Sequence, residues 1–196
     1  MSGRAGPNRA TPGAALLLAA LLSACASYAP VRDTPVKIGR PYTVRGVTYT
    51  PARDPGYDML GHASWYGGES GKRVANGEKF RPGAVTAAHP TLPLPSYVEV
   101  TALDTGRAIL VRVNDRGPFA RGRIIDLSRG AAEQLGLRRQ GVAAVRVRVV
   151  EPPEKARRRL RKGRSAEERP RLDAIALQRL RAQFARAVAA GQITAR

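Results

Sequence analysis

Three runs of β-branched residues do most to limit what this chain can fold into. They occupy residues 96–102, 107–113 and 141–150, and the turn sequence Asp104-Thr105-Gly106 separates the first two. In the last run, every second residue from Val145 to Val149 is a valine. Apolar side chains at every second position are typical of strands with one buried face. The runs therefore predict a mainly β fold.

A single short helix is predicted between the last two runs. Ser128 is a favourable N-cap residue, and Gly136 can end a helix in the left-handed conformation. Short strands around one helix fit a small closed barrel, in which no strand edge is left exposed. We assign the barrel to residues 58–150, a length sufficient for one domain.

The first residues have the composition of an export signal. Two arginines precede an apolar run, residues 14–22, that is too short to span a bilayer. The sequence Leu22-Ser23-Ala24-Cys25 resembles a bacterial lipobox, in which the cysteine is lipidated and the chain is cut before it. Cys25 is the only cysteine, so it has no disulfide partner within the chain. We expect residues 1–24 to be a lipoprotein signal peptide, with an ordinary signal peptide as the alternative.

The expected anchor also predicts a location. Lipidation of Cys25 would hold the mature chain on a membrane. By resemblance to the lipoprotein sorting rule, Ala26 in place of an aspartate points to the outer membrane. We therefore expect a lipid-anchored protein on the periplasmic face of the bacterial envelope.

The segments on either side of the barrel differ from it in composition. Residues 25–57 are rich in Pro and Thr, which predicts a tether, and residues 41–51 alternate enough to form a short hairpin. Residues 151–196 are a basic tail. Within it, apolar residues recur every four positions at Leu172, Ala176, Leu180, Phe184 and Val188. The tail is predicted to be disordered or to form an amphipathic helix.

The chain is strongly basic, with 34 Lys and Arg residues against 15 Asp and Glu and a formal net charge of +19. Such a charge often indicates nucleic-acid binding, but export argues against that partner and we expect none. The anionic partners in an envelope are lipopolysaccharide, phospholipid headgroups and the carboxylates of peptidoglycan stem peptides. Envelope or cell-division proteins could also bind the tail. A solvated, arginine-rich surface without a partner is the alternative.

The residues able to perform acid–base chemistry lie in short blocks punctuated by glycine. The blocks are Trp65-Tyr66-Gly67, Ala75-Asn76-Gly77-Glu78, Thr86-Ala87-Ala88-His89, Asn114-Asp115-Arg116-Gly117-Pro118-Phe119 and Asp126-Leu127-Ser128. Asp115 follows a predicted strand, so its carboxyl would be held firmly yet exposed to a groove. An acid working near neutral pH needs a raised pKa, which partial burial or a neighbouring carboxylate can supply. Arg116 is adjacent and would lower the pKa of Asp115 if it pointed inward, so we expect it to point outward. The alternative is an aspartate that serves the turn.

In this order, the blocks resemble the rare lipoprotein A family, the septal-ring lytic transglycosylases of the bacterial cell wall. The resemblance implies a six-stranded double-psi β-barrel lipoprotein that needs no cofactor. It also implies endolytic cleavage of the MurNAc–GlcNAc β-1,4 bond of peptidoglycan with formation of 1,6-anhydro-MurNAc, on glycan strands that lack stem peptides. One carboxyl suffices for this reaction because the sugar's own C6 hydroxyl replaces water. The forty-six residues of the tail do not resemble the sporulation-related repeat domain of related proteins, which leaves septal targeting in doubt.

The resemblance makes Asp115, Glu78 and His89 the candidate catalytic residues. Glu78 would share a proton with Asp115 or stabilise the oxocarbenium-like centre, and His89 would orient a carboxylate or bind a sugar hydroxyl. Glu78 on a solvated loop and His89 as a buried structural histidine are the alternatives. Two histidines and one cysteine give no recognised ligand spacing, so we expect no metal.

The candidate substrate-binding residues are Trp65, Tyr66, Asn76, Arg116 and Asp126. The two aromatic residues could stack on a sugar ring or pack in the core. Asp126 could face the groove, as an aspartate does in expansin-like barrels, or cap the helix that follows, and capping is slightly favoured. The functional alternative to an enzyme is a non-catalytic, expansin-like lipoprotein that binds glycan or loosens the wall.

Overall fold

The computed structural model describes residues 2–3, 31–67 and 71–194. Cys25 and all of the expected signal peptide except residues 2–3 lie outside these residues, so lipidation stays a prediction. From Val31 onward the chain forms one compact unit. Within the described residues, no helix is both long enough and apolar enough to cross a membrane.

The unit contains eight strands and three helices in its described part. The strands are β1 Tyr42–Val44, β2 Val47–Tyr49, β3 Asp58–Tyr66, β4 Thr86–Ala88, β5 Ser96–Ala102, β6 Ala108–Asp115, β7 Arg123–Ser128 and β8 Ala143–Val149; the helices are α1 Arg129–Leu135, α2 Glu154–Arg161 and α3 Ala174–Ala189. Six strands close into a barrel in the order β3-β7-β4-β6-β5-β8. The mainly β barrel with a short helix is confirmed.

The three runs of β-branched residues supply much of the barrel core. They become β5, β6 and β8, which pair antiparallel with one another through β5. Their inward positions are fully buried, and Val98, Val100, Val111, Val113 and Val145 have no exposed surface. Burying a valine side chain contributes about 1.5–3 kcal/mol each. The alternating pattern therefore decides both the strands and the face that each buries.

The short helix α1 begins and ends where the sequence predicts. The Ser128 side chain accepts a hydrogen bond from the Ala131 backbone N–H, 3.2 Å away. Gly136 has a φ of 87°, in the left-handed region, and its N–H bonds to the carbonyls of Ala132 and Glu133. The cap is therefore Ser128, and the preference for Asp126 as a cap is wrong.

The pairing of the short strand β4 decides where the polar residues meet. β4 runs parallel to β6 and antiparallel to β7. Ala88, the last residue of β4, is the register partner of Asp115 on β6 and of Asp126 on β7. Directly opposed residues on neighbouring strands point to the same face of a sheet. Two aspartates from different strands thus flank one alanine.

The predicted hairpin and the tail both pack on the barrel. β1 and β2 pair antiparallel with Tyr42 opposite Tyr49, as expected for residues 41–51. In the tail, Leu160 of α2 is 1% exposed and joins the barrel's core cluster. Phe184 of α3 lies edge-on against His62 of β3, with ring centroids 5.3 Å apart. Residues 151–196 thus contain two helices that contact the barrel.

Candidate active site

Asp115 is the last residue of β6 and lines an open groove of about 300 Å³. Its Oδ1 accepts hydrogen bonds from the backbone N–H groups of Ala75, at 2.9 Å, and Arg116, at 2.8 Å. These bonds hold the carboxyl at the junction of strand and loop while the side chain stays partly exposed. The structure thus places Asp115 as the sequence predicts.

Asp126 faces the same groove from β7. Burial raises the pKa of the Asp126 carboxyl, and the positive charge of Arg123 offsets only part of this effect. The Arg123 Nη2 lies 3.3 Å from Asp126 Oδ2. Asp126 Oδ1 is buried and has no hydrogen-bond partner among the described residues. The groove therefore holds a second carboxyl, whose pKa is raised by burial.

Tyr66 also lines the groove, and the negative charges of Asp115 and Asp126 both act on its hydroxyl. Its ring stacks on Phe80 with centroids 5.2 Å apart. Burial, and after it the negative charge of Asp115, raises the pKa of the Tyr66 hydroxyl. The phenol thus keeps its proton, and its oxygen is buried without a hydrogen-bond partner among the described residues.

Glu78 is partly buried and held by several hydrogen-bond donors. Its two carboxylate oxygens accept hydrogen bonds from Arg112 Nη1 and Nη2, at 2.8 and 2.9 Å. Asn114 Nδ2 and Asn76 Nδ2 add one bond each, at 2.9 and 2.8 Å. Burial by itself would raise the pKa of Glu78, but the bonds and charge of Arg112 outweigh it and the pKa is lowered. Glu78 is thus held as an anion by its partners, which fits its second predicted role, electrostatic stabilisation, better than the sharing of a proton with Asp115.

His89 is a buried neutral histidine, 1% exposed. Its Nδ1 accepts the backbone N–H groups of Thr91, at 3.2 Å, and Leu92, at 3.0 Å. Burial, and after it the charge of Arg116, lowers the pKa of His89 to about 3. A ring whose Nδ1 accepts carries its proton on Nε2, and this atom is buried without a partner in the described part of the chain. These bonds hold the loop after β4. The position of His89 is that of a buried structural histidine, the alternative given above.

Arg116 does not point outward, and that expectation is wrong. Its guanidinium donates to the backbone carbonyls of His89, Leu92 and Ile38, at 3.2, 2.5 and 2.7 Å. One of these carbonyls precedes β3 and the other two follow β4, and together they satisfy the donors of the partly buried cation. Because these bonds turn the guanidinium toward the loop carbonyls, Arg116 lines the groove without forming an ion pair within 4.0 Å of a described carboxylate.

Of the remaining predicted binding residues, Asn76 supports Glu78 and Trp65 packs against the core. The Asn76 side chain donates to Glu78 and also accepts the Glu78 backbone N–H, at 3.1 Å. Trp65 is partly buried and packs against the core cluster. Neither residue lines the groove. Core packing thus describes Trp65, whereas Tyr66 reaches the groove.

The hairpin supplies one rim of the groove, which sequence reasoning did not anticipate. Val44 and Arg45 line the groove beside Phe119. The Phe119 ring packs on Tyr49 and Tyr42, with centroids 5.4 and 6.1 Å apart. The predicted tether therefore contributes Val44 and Arg45 to the groove, and these two tyrosines support the Phe119 ring from behind.

Arg112 is the main functional residue that the sequence did not single out. It lies on β6 and is 1% exposed, yet it carries a full positive charge. A buried guanidinium requires paired acceptors, and Glu78 and Asp33 provide them. An arginine within the otherwise apolar run 108–113 was the available signal, since such a side chain predicts a buried carboxylate partner.

The arrangement is suited to proton transfer on an extended ligand. Two carboxyls and a phenol face an open groove, and a fixed anion stands on the adjoining loop. Among the described residues, no three His, Cys, Asp or Glu side chains are grouped as a metal site requires. The chemistry available from these side chains is general acid–base catalysis with electrostatic stabilisation.

Comparison with known proteins agrees with this chemistry. Residues 58–147 match a double-psi β-barrel family model described as "Lytic transglycolase". The chain is 54% identical over 114 residues to "Endolytic peptidoglycan transglycosylase RlpA" of Pseudomonas aeruginosa, covering 57% of this chain and 33% of that protein. The protein of the same name from Neisseria meningitidis is 47% identical over 119 residues, covering 60% and 50%. The chain thus spans a third to a half of the length of these relatives.

Among solved structures, the "Streptomyces papain inhibitor (SPI)" is similar to the barrel. It has a TM-score of 0.43 and 25% identity, and the match covers 51% of this chain and all of the inhibitor.

Proposed function

Because the barrel belongs to the rare lipoprotein A family, we propose that this protein is an endolytic peptidoglycan lytic transglycosylase. The observation that carries the proposal is the placement of Asp115 at the end of β6, facing an open groove with Asp126 across Ala88. The names of the relatives from Pseudomonas and Neisseria support the same reaction.

In the proposed reaction, Asp115 acts first as an acid and then as a base. Its proton moves to the glycosidic oxygen as the bond from C1 of MurNAc breaks, and GlcNAc leaves with a hydroxyl. The C6 hydroxyl of the same MurNAc attacks C1 and returns its proton to Asp115, which closes the 1,6-anhydro ring. No water is consumed, and the carboxyl ends in its starting state.

The other polar groups support this cycle in different ways. The backbone N–H groups of Ala75 and Arg116 hold the Asp115 carboxyl in place at the groove. The fixed charge of Glu78 favours the positive character that develops at C1. The Tyr66 hydroxyl, which keeps its proton, can donate a hydrogen bond to a sugar oxygen.

We further propose that the substrate consists of glycan strands without stem peptides, and that Cys25 anchors the protein at the outer membrane. The basic surface would then lie close to the anionic envelope. Globomycin, which blocks cleavage of lipoprotein signals, should leave an uncleaved precursor. Normal processing and membrane attachment of a Cys25→Ser variant would contradict the anchor.

The function is tested by incubating the purified protein with denuded glycan strands and analysing the products by mass spectrometry. A lytic transglycosylase gives fragments that end in 1,6-anhydro-MurNAc. Fragments with reducing ends would indicate a hydrolase instead. Glycan binding without any product would favour the expansin-like alternative.

A further inference from the structure

A chain of alternating charges connects the tail to the candidate active site. It runs from Arg161 of α2 through Asp33, which precedes the hairpin, and Arg112 of β6 to Glu78. The four side chains come from four separate parts of the sequence. Arg112 is almost completely buried, and the side chains of the other three are about one fifth exposed, at 18% to 20%.

Arg112 holds Glu78 in one orientation, because both of its terminal nitrogens bond to the carboxylate. A two-point contact between planar groups fixes their relative angle as well as their distance. The orientation of Glu78 therefore depends on what holds the guanidinium in place.

Asp33 is the group that holds it from the other side. Its Oδ1 accepts from Arg112 Nε at 3.2 Å, and the Arg32 carbonyl accepts from Arg112 Nη2 at 3.0 Å. The Tyr97 hydroxyl of β5 donates to both oxygens of Asp33 at 2.9 Å. Burial by itself would raise the pKa of Asp33, but the bonds from Tyr97 and Arg161 and the charge of Arg112 lower it. Asp33 is thus a second fixed anion behind the site.

Arg161 completes the chain from the tail. Its Nη1 lies 2.6 Å from Asp33 Oδ2, and its Nη2 also pairs with Glu154 at the start of α2. The helix itself is attached to the barrel through Leu160, which is 1% exposed. One arginine of the basic tail thus contacts Asp33, which in turn holds Arg112, the partner of Glu78.

We infer that Asp33 and Arg161 are positioning residues that fix Glu78 at the active site through Arg112. The tail is then a part of the catalytic unit. The inference rests on the proposed function, in which Glu78 supplies the negative charge beside the reacting centre.

Arg158 offers a matched control on the same helix. Its side chain is exposed, and Arg158→Met removes the same charge from α2 as Arg161→Met. A general effect of tail charge on glycan binding would change both variants alike. Positioning of Glu78 would change only Arg161→Met.

The first measurement is the kinetics of cleavage of denuded strands by Asp33→Asn, Arg161→Met, Arg161→Lys and Arg158→Met. A misplacement of about 1 Å can cost up to about 10²-fold in rate, so kcat should fall about 10- to 100-fold in Asp33→Asn and Arg161→Met, with KM little changed. Arg161→Lys, which keeps the charge, should retain most of the rate, and Arg158→Met should match the wild type. Equal rates for Arg161→Met and Arg158→Met would overturn the inference.

A double variant tests whether the effect passes through Glu78. Residues that act through one group are not additive. In a Glu78→Gln background, Asp33→Asn should therefore lower kcat no further. A double variant in which the two losses multiply would show that Asp33 acts by another route.

A second readout does not depend on cleavage. The carboxyl carbon of Glu78, identified by its absence from the spectrum of Glu78→Gln, can be titrated by NMR. Loss of the Arg161 charge should raise the pKa of Glu78, because Asp33 then draws more of the charge of Arg112. Arg158→Met should leave it unchanged. If the wild type does not cleave glycan but this pattern appears, the proposed function fails and the positioning chain stands; an unchanged Glu78 pKa in Arg161→Met refutes the chain.

Discussion

Replacing Glu78 with glutamine should cost both activity and stability, although the two side chains have nearly the same shape. Four N–H donors converge on the carboxylate, two on each oxygen. A glutamine has one oxygen and one NH₂ group, so two donors lose their acceptor. Asn114 can turn its amide to accept from the new NH₂, since its own oxygen has no partner within the described residues. Arg112 cannot make this adjustment because a guanidinium has no acceptor.

The size of the stability loss follows from this count. A hydrogen bond to a charged group contributes about 1.5–3 kcal/mol. Because Asn114 can adjust, one such bond, from Arg112, is lost, which gives roughly 1.5–3 kcal/mol; the partial exposure of Glu78, 20% of its side chain, favours the lower end because solvent screens the charge. A loss of about 2 kcal/mol corresponds to a fall in Tm of roughly 4–8 °C for a chain of this size.

Glu99→Gln is the matched control. Glu99 on β5 is also buried and held by two arginines, Arg148 and Arg169, and its pKa is also lowered, since their bonds outweigh the effect of burial. Neither glutamate lines the groove, but the loop of Glu78 also holds Asp115 through the Ala75 N–H, whereas Glu99 lies on β5. Both variants should therefore lower Tm, but only Glu78→Gln should lower kcat on denuded glycan, by about 10²–10³-fold for a lost electrostatic contact to the transition state.

Thermal melts and single-turnover assays on the two variants give both numbers. The lowered pKa also predicts that Glu78 stabilises the fold at neutral pH and that this contribution is lost as pH falls from about 4.5 through the folded-state value. Glu78→Gln should show a weaker loss in that window. Wild-type activity in Glu78→Gln, or an equal loss of activity in Glu99→Gln, would refute the role of Glu78 as the fixed anion of the site.

Further variants test the remaining residues of the site and its support. Asp126→Asn should leave the unfolding free energy at pH 7 unchanged or higher, because burial disfavours its charge; chemical denaturation showing a loss above about 1 kcal/mol, as for a lost cap, would contradict this. Folded His89 has a pKa of about 3, whereas an unfolded histidine protonates near pH 6.5. As the pH is lowered from 6.5 to 3, the free energy of unfolding should therefore fall by about 1.4 kcal/mol per pH unit. His89→Asn should flatten that slope in denaturation curves, and an unchanged slope would exclude His89 as its source. Ser128→Ala should cost roughly 3 kcal/mol, because the hydroxyl serves the backbone at Ala131, Thr86 and Ala84 and each bond contributes about 1 kcal/mol; the exposed cap Asp173→Ala should cost only about 1 kcal/mol. Equal costs for these two variants would show that the cap is all that Ser128 provides.

Local sequence pattern was sufficient to predict strands and the helix α1 of the barrel, but not which of these elements lie next to one another. The valine alternation of 141–150 and the cap at Ser128 depend on residues adjacent in sequence, so β8 and α1 are found where they were predicted. The meeting of Asp115 and Asp126 depends on the register of β4 with two strands, which no local pattern encodes. The preference for Asp126 as a cap failed for this reason.

Long-range polar contacts could not be predicted from the sequence either. Arg116 turns inward because carbonyls of Ile38, His89 and Leu92 happen to surround it, and these come from two distant loops. Asp33 lies 79 positions before Arg112. The sequence indicated that Glu78 matters, through resemblance alone. Its lowered pKa and its role as an anion required the structure.

The central claim is that Asp115 moves the proton in a reaction that consumes no water. The most direct test is cleavage of denuded glycan in ¹⁸O-labelled water by the wild type and by Asp115→Asn, which keeps the size of the side chain and removes its titrating proton. The wild type should form 1,6-anhydro ends without ¹⁸O, and Asp115→Asn should form them about 10²–10⁴-fold more slowly while it still folds and binds glycan. Incorporation of ¹⁸O into the new ends, or undiminished cleavage by Asp115→Asn, would contradict the claim.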